Sequence, residues 1–216
     1  MTAPDLVWLV GKPTLGRFMR LTSRYRVYGV DRVPLHGGVV LAINHFSWID
    51  TAAFGNASPR TVWYMAKAEA MQTPVFGQIL SAFGAFAVRR GESDREAIRY
   101  AREIVRSGRV LGLFVEGTRQ RAGVPGKVQP GAAMIAMQED APVVPGAVYG
   151  SLNWKLGNFQ PVSVSWGEPL RFDGLPRNAR GYREASDEIA GAIRRQWAWL
   201  GELDRMGRPK VATPPR

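Results

Sequence analysis

A chain of 216 residues is long enough to bury one sizeable core and too short for two comfortable ones, so a single globular domain is expected. Its 45% hydrophobic and 22% charged residues are ordinary globular proportions, which argue against a disordered or multi-span membrane chain. Lys and Arg number 29 against 18 Asp and Glu, a net charge of +11 that implies an acidic partner such as nucleic acid, anionic lipid or a phosphorylated substrate, and the absence of cysteine excludes disulfides, thiolate metal sites and a cysteine acyl-enzyme.

The N-terminal segment 1–25 mixes Leu6, Trp8, Leu9, Val10, Leu15, Phe18, Met19 and Leu21 with Lys12, Arg17, Arg20 and Arg24, which reads as a basic amphipathic helix with a break point near Gly11 and Pro13. It is either a membrane-interface segment or a helix docked on the domain's own core, and the two readings are compatible. Asp5 precedes the apolar stretch and no small-residue cleavage site follows, so a signal peptide is not expected. No apolar run approaches the ~20 residues needed to span a bilayer, and any membrane contact should be interfacial. From Arg26 short β runs alternate with helical stretches: 26–30, 39–43, 61–66, 85–88, 110–115, 143–149 and 162–166. That pattern predicts an α/β domain over 26–203 with a mixed central β-sheet flanked by helices. Ser93 and Glu96 form a capping box for a helix that should stop at Gly108. A second helix is expected over about 184–200, and residues 204–216, rich in Pro, Lys and Arg, should form a disordered tail.

The apolar run Val39 to Ile43 ends at Asn44, His45, Phe46, Ser47, Trp48, Ile49 and Asp50, so titratable groups crowd the end of a strand, where α/β active sites collect. Ser47 and Asp50 have capping-box spacing, which predicts Ser47 as the N-cap of a helix and Asp50 on its first turn. Asp50 can then face back to the His45 ring, set its tautomer and leave the other nitrogen as a base. The alternative is that Asp50 only caps the helix and His45 is a hydrogen-bonded core histidine. The other histidine, His36, lies in no metal-ligand pattern, nor does His45, and no metal site is expected.

Read together, four blocks resemble the glycerol-3-phosphate and lysophosphatidate acyltransferase family. Asn44 to Asp50 matches N-H-x-S-x-x-D. Gly84 to Arg90 is similar to G-x-x-F-V-x-R, with Ala87 in place of an aromatic. Phe114 to Gln120 is similar to F-P-E-G-T-R-S, with Val115 for the proline and Gln120 for the serine. Val143 to Ala147, following Lys127 and Gly131, resembles a proline-containing apolar block. The resemblance implies an α/β acyltransferase fold, acyl-CoA or acyl carrier protein as donor, a lysophospholipid acceptor, and no metal or organic cofactor. It implies His45 as general base, Asp50 as its orienting partner, and Glu116, Gly117, Thr118 and Arg119 in the acceptor's phosphate site. The expected reaction converts 1-acyl-glycerol 3-phosphate to phosphatidate at the cytoplasmic face of an anionic membrane.

The residues themselves are compatible with that site. A Gly-allowed turn after a strand can expose backbone N–H groups while Arg119 offers a bidentate fork to phosphate. Glu116 cannot bind phosphate directly and is assigned to orienting Arg119 or a substrate hydroxyl. Arg90 and Lys127 are further phosphate candidates, with surface ion pairing or a solvated loop charge as the plainer reading. Phe83, Phe86 and Phe114 read as core, and Trp197 and Trp199 beside Arg194 and Arg195 read either as an interfacial anchor or as one core and one surface side chain. Two alternatives stay open: the same chemistry on another lysophospholipid, glycerol 3-phosphate or a glycolipid, and a non-catalytic basic protein binding membrane or nucleic acid. No nucleic-acid motif is visible, and nucleic acid is not the expected partner.

Overall fold

The apolar runs pair into one seven-stranded sheet in the computed structural model, which describes residues 3–88 and 95–216. The strands are β1 (Arg26–Tyr28), β2 (Val39–Ile43), β3 (Val62–Lys67), β4 (Ala85–Val88), β5 (Val110–Phe114), β6 (Val143–Tyr149) and β7 (Ser163–Trp166), in the order β1-β7-β6-β2-β5-β3-β4. All neighbouring pairs are parallel except β6 with β7, so the sheet is mixed as expected. The helices are α1 (Ala3–Ser23), α2 (Ile49–Ala57), the short α3 (Ala68–Met71) and α4 (Phe76–Ala82), α5 (Arg95–Arg106), α6 (Gly131–Gln138) and α7 (Ala179–Arg205).

β2 shows why the site sits where it does. All five of its residues are buried, because helices cover both faces of the sheet. Leu41 and Ile43 point into one layer with Phe54 and Trp166, while Val40 and Ala42 point into the other with Ile135, Ile189 and Ile193. Parallel pairing of β2 with β5 and β6 brings three C-terminal strand ends to the same edge, the edge where α/β sheets hold their ligands.

α1 runs through Pro13 without a break and docks on the domain. Trp8 and Met19 are buried, and Trp8 Nε1 donates to Phe83 O at 3.0 Å. Asn56 of α2 donates to Lys12 O, just before the proline, and Lys12 Nζ donates to Ser58 O. Leu6, Leu9, Val10 and Leu21 remain exposed, so α1 is docked on the core through one stripe and leaves the other open. No helix among the described residues is long and apolar enough to cross a membrane.

Several expectations differ in detail. The helix ending at Gly108 spans Arg95–Arg106, with Gly108 at φ 76; Ser93 of its capping box lies outside the described residues. The last helix runs past its expected limits at both ends, to Ala179 and Arg205; at its start Asn178 is the N-cap, its Oδ1 accepting from the N–H groups of Arg180 and Gly181. Trp197 and Trp199 form no surface anchor. Both are half-buried, against Tyr149 and Tyr28 respectively. The tail over 204–216 is held rather than loose. Arg32 donates to Pro214 O and Pro215 O, Tyr28 Oη donates to Pro209 O, and the buried Arg208 donates to Arg24 O and Val162 O. Pro-, Lys- and Arg-rich composition masked those main-chain acceptors, which only the fold supplies.

Candidate active site

His45 leaves the end of β2, and its ring lies 3.0 Å from Asp50 through Nδ1 and Oδ2. The Asp50 side chain is fully buried, and that of His45 is 13% exposed. The same Oδ2 accepts the backbone N–H groups of Phe46 at 2.6 Å and Ser47 at 2.7 Å. This corrects the expected cap. α2 starts at Ile49 with no side-chain cap from its N-cap residue Trp48, and it is Asp50, not Ser47, that reaches back to the free N–H groups ahead of the helix. Three donors thus converge on one carboxylate oxygen. An ionised carboxylate can only accept, which places the imidazole proton on Nδ1 and leaves the Nε2 lone pair free.

One face of the imidazole is covered by Phe114, whose ring stacks on it at 4.0 Å and 19°. Phe114 is the last residue of β5 and the register partner of Ile43. It reads as core from sequence; strand order alone makes it a wall of the site. Asn44 is fully buried and makes a pair of hydrogen bonds with Val148, donating from Nδ2 to the carbonyl at 3.1 Å and accepting the N–H on Oδ1 at 2.8 Å. It ties the exit of β2 to β6 one residue before His45. Asn44→Ala is expected to lower stability by about 1–3 kcal/mol, the cost of leaving both Val148 groups unpaired in the core, as measured by urea unfolding.

Glu116 has a different task from the one expected. Its Oε2 accepts the His45 N–H at 2.8 Å and its Oε1 accepts the Gly126 N–H at 2.6 Å, so the carboxylate clamps the backbone of the histidine to the loop that follows β5. Both oxygens are occupied by main chain, and neither is directed to Arg119. Burial pushes its carboxyl up to about 7, opposed by the two accepted N–H bonds and reinforced by the nearby charge of Asp50. The Gln120 N–H closes the same loop on His45 O at 2.7 Å.

The remaining candidates lie around this loop. Gly117 makes the turn at φ 74, but its N–H is spent on Phe114 O and does not point outward as expected. Thr118, Arg119 and Lys127 are exposed. Arg119 adjoins Gln120, and Lys127 adjoins Gly126, so both cations stand one residue from a bond that anchors the loop to His45 or Glu116. Arg90 lies outside the described residues. An apolar cleft of about 430 Å³, lined by Met65, Leu113, Phe114, Ala132 and Ile135, opens beside Gly117 and Thr118.

A buried carboxylate, an imidazole with one free nitrogen and a loop rich in cations place a base beside a cationic rim. Residues 24–149 match the family model described as Acyltransferase. The chain belongs to the acyltransferase family. Among relatives of this acyltransferase, the 1-acyl-sn-glycerol-3-phosphate acyltransferase of Bacillus subtilis is 32% identical over 167 residues, covering 75% of this chain and 83% of the relative. The protein of the same name from Streptococcus pneumoniae is 26% identical over 173 residues, covering 78% of this chain and 64% of that one. The crystal structure of the 1-acyl-sn-glycerophosphate (LPA) acyltransferase from Thermotoga maritima superposes with a TM-score of 0.70 at 21% identity, over 93% of this chain and 79% of that chain, a likeness of fold. The matched region contains the His45 site and the Glu116 loop, and it sets aside the non-catalytic alternative.

Proposed function

We propose that this acyltransferase moves a fatty acyl group from a thioester donor, acyl-CoA or acyl carrier protein, to the free hydroxyl of 1-acyl-glycerol 3-phosphate, giving phosphatidate. The observation that carries the reading is the His45 ring held by Asp50 and Phe114 with Nε2 free. His45 Nε2 takes the proton of the acceptor hydroxyl as its oxygen bonds to the thioester carbonyl. The tetrahedral intermediate collapses with cleavage of the C–S bond, and the imidazolium returns the proton to the departing sulfur. Asp50 stabilises that imidazolium and holds its ring. The scheme closes on side-chain proton transfers and draws on no cofactor. The activity for which the Bacillus subtilis and Streptococcus pneumoniae relatives are named supports lysophosphatidate as the acceptor, and the apolar cleft beside Gly117 supports a long chain as the group carried.

Arg119 and Lys127 supply the phosphate site, with Arg90 as a third candidate. Arg119 is exposed, so its strength toward phosphate is partly screened. Arg119→Ala should raise KM for lysophosphatidate by about 10-fold with a smaller change in kcat, as a lost charged hydrogen bond would. An acceptor without phosphate should show no such rise. The outward Leu and Arg face of α1 supports a position on the cytoplasmic surface of an anionic membrane, where the lipid acceptor would reside.

The deciding experiment incubates the purified protein with lysophosphatidate, other lysophospholipids, glycerol 3-phosphate and a glycolipid, each with acyl-CoA and with acyl carrier protein. Products are read by lipid mass spectrometry. Phosphatidate is the expected product. Acylation of another acceptor in preference would reassign the substrate, and the absence of any acylated product would overturn the reading.

A further inference from the structure

The segment joining β6 to β7 exposes two large apolar side chains, Leu156 (71%) and Phe159 (53%). This is not the accident of a loose loop. Asn158 Oδ1 accepts the N–H groups of Lys155 and Gln160, while its Nδ2 donates to Asn153 O. Phe159 is held at φ 52, a conformation that disfavours a bulky L side chain. The base of the segment is anchored by Trp154, which is buried and donates from Nε1 to Thr22 O at the end of α1. A fold that tolerates backbone strain while leaving apolar surface in water invites a partner that buries it.

The neighbours of this segment say which partner. Trp154 packs edge-on against Trp48, which is 58% exposed and lies three residues beyond His45. Leu152 lies against Gly123 of the loop after β5, the loop whose Gln120 N–H is bonded to His45 O. Through these two contacts the apolar segment adjoins both the His45–Asp50 turn and the loop after β5. Its charge is one-sided. Residues 17–25, 117–130 and 150–162 carry seven Lys and Arg and no Asp or Glu, whereas the rest of the chain is nearly balanced, 22 against 18. Large apolar side chains ringed by cations, with carboxylates excluded, match the chemistry of an anionic bilayer surface, in which the apolar tips sink below the phosphates and the cations pair with them.

We infer that the β6–β7 segment, with Trp48 and the last turns of α1, is a membrane-docking rim that seats the His45 mouth directly on anionic phospholipid, so that the acceptor enters from the bilayer. The inference rests on the proposed lipid substrate for its purpose, but not for its test.

The chain has no cysteine, so one introduced thiol reports one place. Leu156→Cys carrying an environment-sensitive fluorophore is mixed with vesicles of phosphatidylcholine alone or with phosphatidylglycerol, lacking acyl donor. Leu35→Cys, exposed ahead of β2 at the opposite end of the strands, is the control. The Leu156 label should shift to shorter wavelength on phosphatidylglycerol vesicles and be quenched by spin-labelled acyl chains, with the Leu35 label unchanged. Leu156→Asp/Phe159→Asp should weaken vesicle binding on the order of 100-fold while keeping the thermal melt of the parent. An aqueous spectrum for the Leu156 label on protein that sediments with vesicles, or undiminished binding by the double variant, overturns the inference. Acyl transfer, assayed separately on detergent-dispersed acceptor, tests the proposed function alone.

Discussion

Replacing His45 by alanine is expected to lower kcat for acyl transfer by about 10²- to 10⁴-fold, the usual worth of a positioned general base, with the fold intact. The companion substitutions should not be equal. In Asp50→Asn the backbone N–H groups of Phe46 and Ser47 still require an acceptor, so they draw the amide oxygen into the place of Oδ2. That oxygen continues to accept from His45 Nδ1, and the tautomer is kept. What is lost is the negative charge opposite the imidazolium, costing about 10- to 100-fold in kcat. Asp50→Ala removes charge, orientation and both backbone bonds, so it should approach His45→Ala in rate and also lose about 1–3 kcal/mol of stability. Single-turnover rates and urea unfolding of the three variants test the order. Undiminished turnover in His45→Ala would sink the mechanism, and a wild-type rate in Asp50→Asn would remove Asp50 from it.

Glu116→Gln is the second large effect, because it separates positioning from chemistry. Glutamine has one acceptor oxygen for two N–H groups, so either His45 or Gly126 loses its partner. A shift of the histidine backbone should cost about 10- to 100-fold in kcat, since displacements well short of unfolding misalign a base. The pH dependence of stability supplies the control. Burial raises the folded-state value of Glu116 to about 7, above its unfolded value near 4.5. Between these limits the folded chain holds a proton that the unfolded chain has released, so stability falls as pH rises through this window. The contribution is present in full below the unfolded value and is gone above about pH 7, a loss on the order of 2 kcal/mol after solvent screening. Unfolding curves at pH 4.5 and 8 should show this loss in the parent and lack that share of it in Glu116→Gln. Equal pH slopes in both proteins would contradict the buried, raised carboxyl.

The sheet was legible where its signal is local. The limits 39–43, 85–88 and 143–149 read from apolar runs coincide with β2, β4 and β6; for β2 and β6 the reason is that a strand covered on both faces has little choice but to be apolar throughout. α6 escaped notice: its Ala-, Met- and Ile-rich stretch is buried on most sides and lacks the polar face that makes a helix visible as a period. Ser47 had the spacing of a cap, yet Asp50 performs the reach to the backbone, since capping-box spacing fixes which residues are near and not which oxygen wins.

Within the site, His45 and Asp50 are five residues apart, and a strand-to-helix turn suffices to bring them together. Their pairing could therefore be read in one dimension. Phe114, Val148 and Glu116 are distant in sequence from β2 and meet His45, Asn44 and the His45 N–H respectively only because β5 and β6 flank β2 in the sheet. The sequence by itself determined the α/β class, the His45–Asp50 unit and the cationic excess, all of which follow from composition, period and short spacing. Only the tertiary structure decided that Glu116 serves the backbone of His45 instead of Arg119, that the tail is bound, and that the β6–β7 segment lies against Trp48. Each of those depends on which buried donor finds which acceptor, and that choice is made by strand order, which no local pattern encodes.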